Sequence, residues 1–190
     1  MTVFFTLFDT AIGRCAIAWG ARGIACVQLP EADEPTARAR MLQRFPRARE
    51  AAPSSAVFHA QEAIAGFLRG EPGDLSSVLL DTDLVPPFHR RIYEAARSIP
   101  RGATMTYGAL AEQAGVAGSA RAVGQALARN PFAIVVPCHR VVAAGGRIGG
   151  FSANGGIATK LRILAIEGHE KSVPGLFDGP CVAAQSRRKG

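Results

Sequence analysis

The hydrophobic pattern of this chain changes character once, near Pro86-Pro87, and that break limits the folds open to it. Ahead of it stand three short β-like runs, Val3 to Asp9, Arg14 to Trp19 and Ile24 to Leu29. Their even spacing and Gly-bearing turns predict an antiparallel meander. A helix is then expected over Glu34 to Phe45, with Asp33 as its cap and Pro35 in its first turn. A second is expected over Ala56 to Arg69, with Val57, Ala60, Ile64, Phe67 and Leu68 as its apolar stripe. Val78-Leu79-Leu80 offers one more strand. After the break the chain reads as helical. Phe88, Ile92, Ala95 and Ile99 form one face of a helix, and Arg90, Arg91, Glu94 and Arg97 the other. Two short helices follow, Thr106 to Ala114 and Ser119 to Arg129, separated by a turn that contains Gly115. The second is capped by Ser119, packs through Ala120, Val123, Gly124 and Leu127, and turns Arg121 and Gln125 outward. Such a pair is the helix-turn-helix arrangement, although short helix pairs also serve plain packing. A last helix is expected over Thr159 to Glu167.

Composition narrows the function classes. A net charge of +7 and a pI near 9.9 allow a nucleic-acid partner without requiring one. Arg far outnumbers Lys, and its planar fork suits phosphates and base stacking. The cysteines, at 15, 26, 138 and 181, form no CxxC pair and have no His at ligand spacing, which argues against a zinc ribbon and a disulfide framework. No signal peptide and no apolar stretch of membrane-span length is evident. The expectation is a soluble, monomeric, cytoplasmic protein without cofactor or metal.

Chemistry is concentrated at Pro137-Cys138-His139-Arg140-Val141-Val142. A cysteine beside a histidine is a nucleophile with a base, because the thiolate is the reactive form. The apolar run Phe132 to Val136 ahead of it reads as a buried strand that Pro137 ends. Gly145-Gly146, Gly149-Gly150 and Gly155-Gly156 behind it suit a backbone passing close to a ligand. Neighbouring side chains on extended backbone point to opposite faces, so Cys138 and His139 need a turn or a bridging water to cooperate. Glu167 is the candidate to orient the imidazole in a Cys–His–Glu relay. A Cys–His hydrolase could use the same trio. A zinc deaminase would need a second Cys after Pro137-Cys138, where His and Arg stand instead.

Asn130-Pro131 followed by Val135-Val136-Pro137-Cys138-His139-Arg140-Val141-Val142 resembles the active-site signature of the O(6)-alkylguanine-DNA alkyltransferases, the methylated-DNA–protein-cysteine methyltransferases. Ile99 to Gly102, Thr106-Tyr107, Ala120 to Gly124 and Lys160 to Gly168 keep the family's order and spacing. The likeness runs from Phe4 to Gly168 and is strongest after Pro87. It implies an α+β protein: a ribonuclease-H-like scaffold domain over residues 1–85, a winged-helix-like DNA-binding and alkyl-acceptor domain over 86–170, and a flexible tail over 171–190. It also implies direct reversal of alkylation at guanine O6, and at thymine O4, in double-stranded DNA. Cys138 would accept the alkyl group, activated through a water by His139 and held by Glu167. Tyr107 would donate to the departing base, and Asn130 would pin the turn before the active site. Arg121 would fill the gap left by a flipped nucleotide, with Ala120, Ala122, Gln125 and Ala128 beside it on the DNA-facing helix. Val141, Phe151 and Ser152 would line the base pocket. Two departures stand out: Phe151 replaces a common Tyr, and the 152–156 loop is longer than usual. A binding-only relative would lack the acceptor cysteine.

Overall fold

A computed structural model describes residues 2–169, so Cys181 and the tail over 171–190 lie outside the described residues. The expected meander is present as β1 (Phe4–Thr10), β2 (Gly13–Gly20) and β3 (Gly23–Gln28), all antiparallel. Both faces of this sheet are covered, which is why its strands are apolar at nearly every position. Cys15, Ile17 and Trp19 point to one face, where α2 (Ser55–Leu68) packs through Val57, Ala60, Ile64, Phe67 and Leu68. Phe5, Leu7, Ala16 and Ala18 point to the other, under Ala37 and Met41 of α1 (Glu34–Arg44). The Asp33 carboxylate accepts from the Thr36 N–H at 2.8 Å, so the expected cap is made. The short β4 (Arg49–Glu50) joins the free edge of β1 in parallel. Both its residues are exposed and charged, so no hydrophobic pattern announces it.

The strand expected at Val78 to Leu80 shrinks to an isolated bridge. Ile24 donates to the Leu79 carbonyl at 2.9 Å and accepts from the Asp81 N–H at 2.8 Å, and no ladder extends from there. Gly23 explains the close approach: with φ +131°, a Cβ there would lie 2.6 Å from the Leu79 oxygen.

Three helices, α3 (Pro87–Arg97), α4 (Tyr107–Gln113) and α5 (Ala120–Ala128), enclose a second core with Phe132, Val136 and Val141. The inward face of α3 is Ile92, Tyr93 and Ala96, with Ala95 only partly covered. The Tyr93 hydroxyl donates to the Ala126 carbonyl at 2.9 Å, a polar bond that fixes how far α3 is rotated. Thr106 caps α4 through the Ala109 N–H at 3.1 Å. Ser119 stands at the start of α5 but its hydroxyl makes no capping bond. Two-residue strands β5 (Met105–Thr106) and β6 (Val141–Val142) pair in parallel beside the helices. The last helix, α6 (Gly156–Ile166), begins three residues before the expected Thr159 and ends with Glu167 as its C-cap.

The buried strand expected over Phe132 to Val136 is not one. Isolated bridges hold its ends, and the Val136 N–H returns to the Phe132 carbonyl at 2.8 Å across a tight turn. Ile134 sits at φ +71°, a conformation that a β-branched side chain resists. The turn sends Ile134 and Val135 into the sheet core and Phe132 and Val136 into the helical core. The run is apolar because it is shared between two cores, not because it pairs in a ladder.

Candidate active site

Past that turn, Cys138 to Arg140 form a single 3₁₀ turn, in which adjacent side chains no longer point to opposite faces as on extended backbone. Asn130 secures the approach. Its Oδ1 accepts from the Phe132 N–H at 2.9 Å, while its Nδ2 donates to the Val136 carbonyl at 2.9 Å and to Cys138 Sγ at 3.4 Å. One amide therefore fixes the backbone and offers a proton to the sulfur. Burial raises the Cys138 thiol above its ordinary range; the Asn130 bond and the Lys160 charge oppose that rise.

Behind the sulfur lies a buried polar group. His139 Nε2 is 2.8 Å from Glu167 Oε1, and neither side chain is exposed. Arg140 grips the same carboxylate, with Nε at 3.0 and 3.1 Å and a terminal nitrogen at 2.8 Å, and its other terminal nitrogen donates to the Ile99 carbonyl at 2.6 Å. The Gly102 N–H donates to Glu167 Oε2 at 3.1 Å. Burial alone would raise the Glu167 carboxyl, but the bonds from His139 and Arg140 outweigh it and hold the group down at about 2. Burial lowers the His139 imidazole, and Glu167 only partly restores it. A carboxylate can only accept, so a neutral His139 must carry its proton on Nε2. Its Nδ1 is then a free lone pair, buried and without a hydrogen-bond partner among the described residues. That is the tautomer a general base requires.

Lys160 is fully buried on α6, donating to the Val141 carbonyl at 2.6 Å and the Ile148 carbonyl at 2.7 Å. Burial brings its ammonium down to about 8, against the pull of Cys138. Sequence reasoning gave no role to Lys160 or Arg140. A signal was present for the first: the chain has lysines only at 160, 171 and 189, so a lysine inside an apolar helix face is conspicuous. Arg140 carried no such mark.

Cys138 opens on a pocket of about 300 Å³ lined by Tyr107, Gly124, Leu127, Ala128, Phe151 and Ser152. Burial, and then the nearby sulfur, raise the Tyr107 phenol, so it keeps its proton as a donor. Among the residues expected at a base pocket, Phe151 and Ser152 line it. Val141 does not: it is fully buried, its N–H bonded to the Cys138 carbonyl and its own carbonyl to Lys160. On α5, Arg121, Gln125 and Ala128 are exposed, with Ala120 and Ala122 half-buried beside them.

This arrangement of thiol, imidazole and open pocket can be set beside known proteins. The family model described as "6-O-methylguanine DNA methyltransferase, DNA binding domain" matches residues 87–169. A methylated-DNA–protein-cysteine methyltransferase of Methanothermobacter thermautotrophicus is 34% identical over 152 residues, covering 80% of this chain and 78% of that protein. The chain belongs to the methylated-DNA–protein-cysteine methyltransferase family. A family member from Mycobacterium leprae is 46% identical over 99 residues, which span 52% of this chain and 59% of that one. Mycobacterium tuberculosis OGT, solved in complex with DNA, superposes with a TM-score of 0.69 at 30% identity, covering 86% of this chain and 92% of that one. The mixed α+β architecture is thus the methyltransferases' own, and Cys138 stands within the matched stretch.

Proposed function

We propose that this protein repairs alkylated DNA by moving the alkyl group irreversibly from guanine O6 to Cys138. The carrying observation is the buried His139–Glu167 pair that begins at the residue next to a half-buried Cys138. Neutral His139, acting through a water, takes the thiol proton, and Glu167 with Arg140 holds the imidazolium that results. The thiolate attacks the alkyl carbon, the carbon–oxygen bond breaks, and its electron pair stays on guanine O6. Tyr107 donates to the base as that charge develops. The product is a thioether, which water does not cleave, so each molecule acts once.

A base inside a duplex is out of reach, so the nucleotide is flipped into the Tyr107–Phe151–Ser152 pocket, at a cost of a few kcal/mol that an inserted Arg121 offsets in part. Ala120, Ala122, Gln125 and Ala128 give that helix the small, close face such an approach needs. Thymine O4 presents the same alkyl–oxygen bond and is a second substrate in this scheme. The α4–α5 pair with β5 and β6 supports a winged-helix-like reading of residues 86–170. The meander with its flanking helices supports a ribonuclease-H-like reading of residues 1–85. Among the described residues no helix is long and apolar enough to cross a membrane, and the protein works as a cytoplasmic monomer in this scheme.

The test is intact-protein mass after incubation with methylated duplex. A gain of one methylene, mapped to the Cys138 peptide and reaching one per molecule, is expected. Cys138→Ser should bind the duplex and lose transfer by at least about 10⁴-fold. Repair of several lesions per molecule would replace this reading with a hydrolase.

A further inference from the structure

One side of the relay is closed by an aromatic ring from the opposite half of the chain. Phe67, on α2, is only 4% exposed. Its ring meets His139 edge-on, with centroids 6.3 Å apart and planes at 61°. The guanidinium carbon of Arg140 lies 5.9 Å from the same ring centroid, and that of Arg101 lies 5.0 Å from it. Arg101 in turn donates to the Glu71 carbonyl just past α2 and to the Ile166 carbonyl at the end of α6, at 3.3 Å for the latter. A cleft of about 170 Å³, bounded by Phe67, Arg97, Arg101, Pro137 and Arg140, lies on this rear side, away from the base pocket.

Resting on the alkyl-transfer reading above, we propose that Phe67 is a positioning residue for the reaction: its ring walls the imidazole of His139 off from the rear cleft and seats the Arg140 fork on Glu167. The physical grounds are separate from the hydrogen bonds already described. An aromatic face attracts guanidinium groups, and the attraction grows as water is excluded, so the ring draws Arg140 and Arg101 toward it. A ring edge against an imidazole excludes water without offering it a proton. His139 is faced by Glu167 and Lys160 from α6, by Arg140 from its own turn, and by Phe67 from α2. Phe67 is the one neighbour among these that carries no titratable group. Removing the ring admits water to the imidazole, lessens the burial that lowers its proton affinity, and leaves Arg140 less constrained.

The experiment measures single-turnover transfer to Cys138 across pH for wild type, Phe67→Leu, Phe67→Met and Phe67→Tyr, using free O6-methylguanine as well as methylated duplex. Rates are expressed per competent molecule, counted by the final extent of labelling, so partial unfolding does not enter. General-base assistance is worth roughly 10²–10⁴-fold, and a wall that only tunes the base should account for about tenfold of it. Leu and Met are therefore expected to slow both substrates by that factor and to move the acid limb of the rate toward higher pH. Tyr, which keeps the ring, should restore the wild-type limb. An unmoved acid limb in Leu and Met, with only the labelled fraction reduced, would make Phe67 a packing residue and overturn the proposal. So would failure of both variants to yield any competent molecule. If wild-type Cys138 itself takes up no alkyl group, the alkyl-transfer reading fails instead.

Discussion

The two halves of this molecule are held together in different ways. In the N-terminal half β1 and β2 exchange a continuous ladder from Phe4–Trp19 to Thr10–Gly13, and side chains have little left to do but pack. In the C-terminal half the ladder is two residues long, and polar side chains take its place. Tyr93 bonds the Ala126 carbonyl, Asn130 bonds both ends of the turn before Cys138, Arg140 bonds Ile99, and Lys160 bonds Val141 and Ile148. A buried backbone group must find a partner somewhere, and irregular backbone finds it in side chains. Asn130 and Lys160, which satisfy the backbone here, also act on the sulfur. Irregularity is thus the means by which charged and polar groups are brought, at tolerable cost, to one buried place.

Three substitutions sharpen or break this contrast. Tyr107→Phe, in the irregular half, removes a donor without touching the fold, and transfer should fall by about 10²-fold on free base and duplex alike. Single-turnover kinetics at unchanged melting temperature would bear this out; a loss on duplex alone would move Tyr107 from the chemistry to DNA binding. Gly23→Ala, in the regular half, should do the opposite. The backbone is at φ +131° and the new methyl meets the Leu79 carbonyl, so stability should drop by about 2 kcal/mol while the rate per folded molecule holds. Denaturant titration beside kinetics reads both, and a slowed rate per folded molecule would show that the scaffold reaches the site through Leu79 to Asp81. Arg121→Ala should give the smallest change. Its side chain is exposed on α5, so losing it should cost about 1 kcal/mol on duplex repair and nothing on free base. Equal slowing on both substrates would give Arg121 a structural role.

What the sequence disclosed follows the same division. The three meander strands, the Asp33 cap and the α2 stripe were legible because alternation and 3.6-residue periodicity are what ladders and packed helices impose. Cys138, His139 and Glu167 stood out by residue type, and the structure brings His139 and Glu167 within 2.8 Å of each other. Phe132 to Val136 misled, because five apolar residues look the same whether they pair in one sheet or divide between two cores. Nothing in the composition signals that an Ile will adopt a left-handed backbone. The inward face of α3 was read as Phe88, Ile92, Ala95 and Ile99, leaving out the buried Tyr93, since the hydroxyl's partner, Ala126, lies far along the chain. The roles of Arg140 and Phe67 were invisible for a similar reason: each depends on a neighbour from another element.

The divided turn at residues 132–136 has a consequence for how the molecule comes apart. Its middle and its ends belong to different cores, Ile134 and Val135 to one and Phe132 and Val136 to the other, so neither core can loosen without pulling out residues that the other needs. The two halves are therefore bound into one cooperative unit, and heat or denaturant should unfold them in a single transition. Cys138 follows just after that seam ends. Its geometry should be lost in that same transition, so thiol reactivity at Cys138 should rise together with the unfolding of both halves.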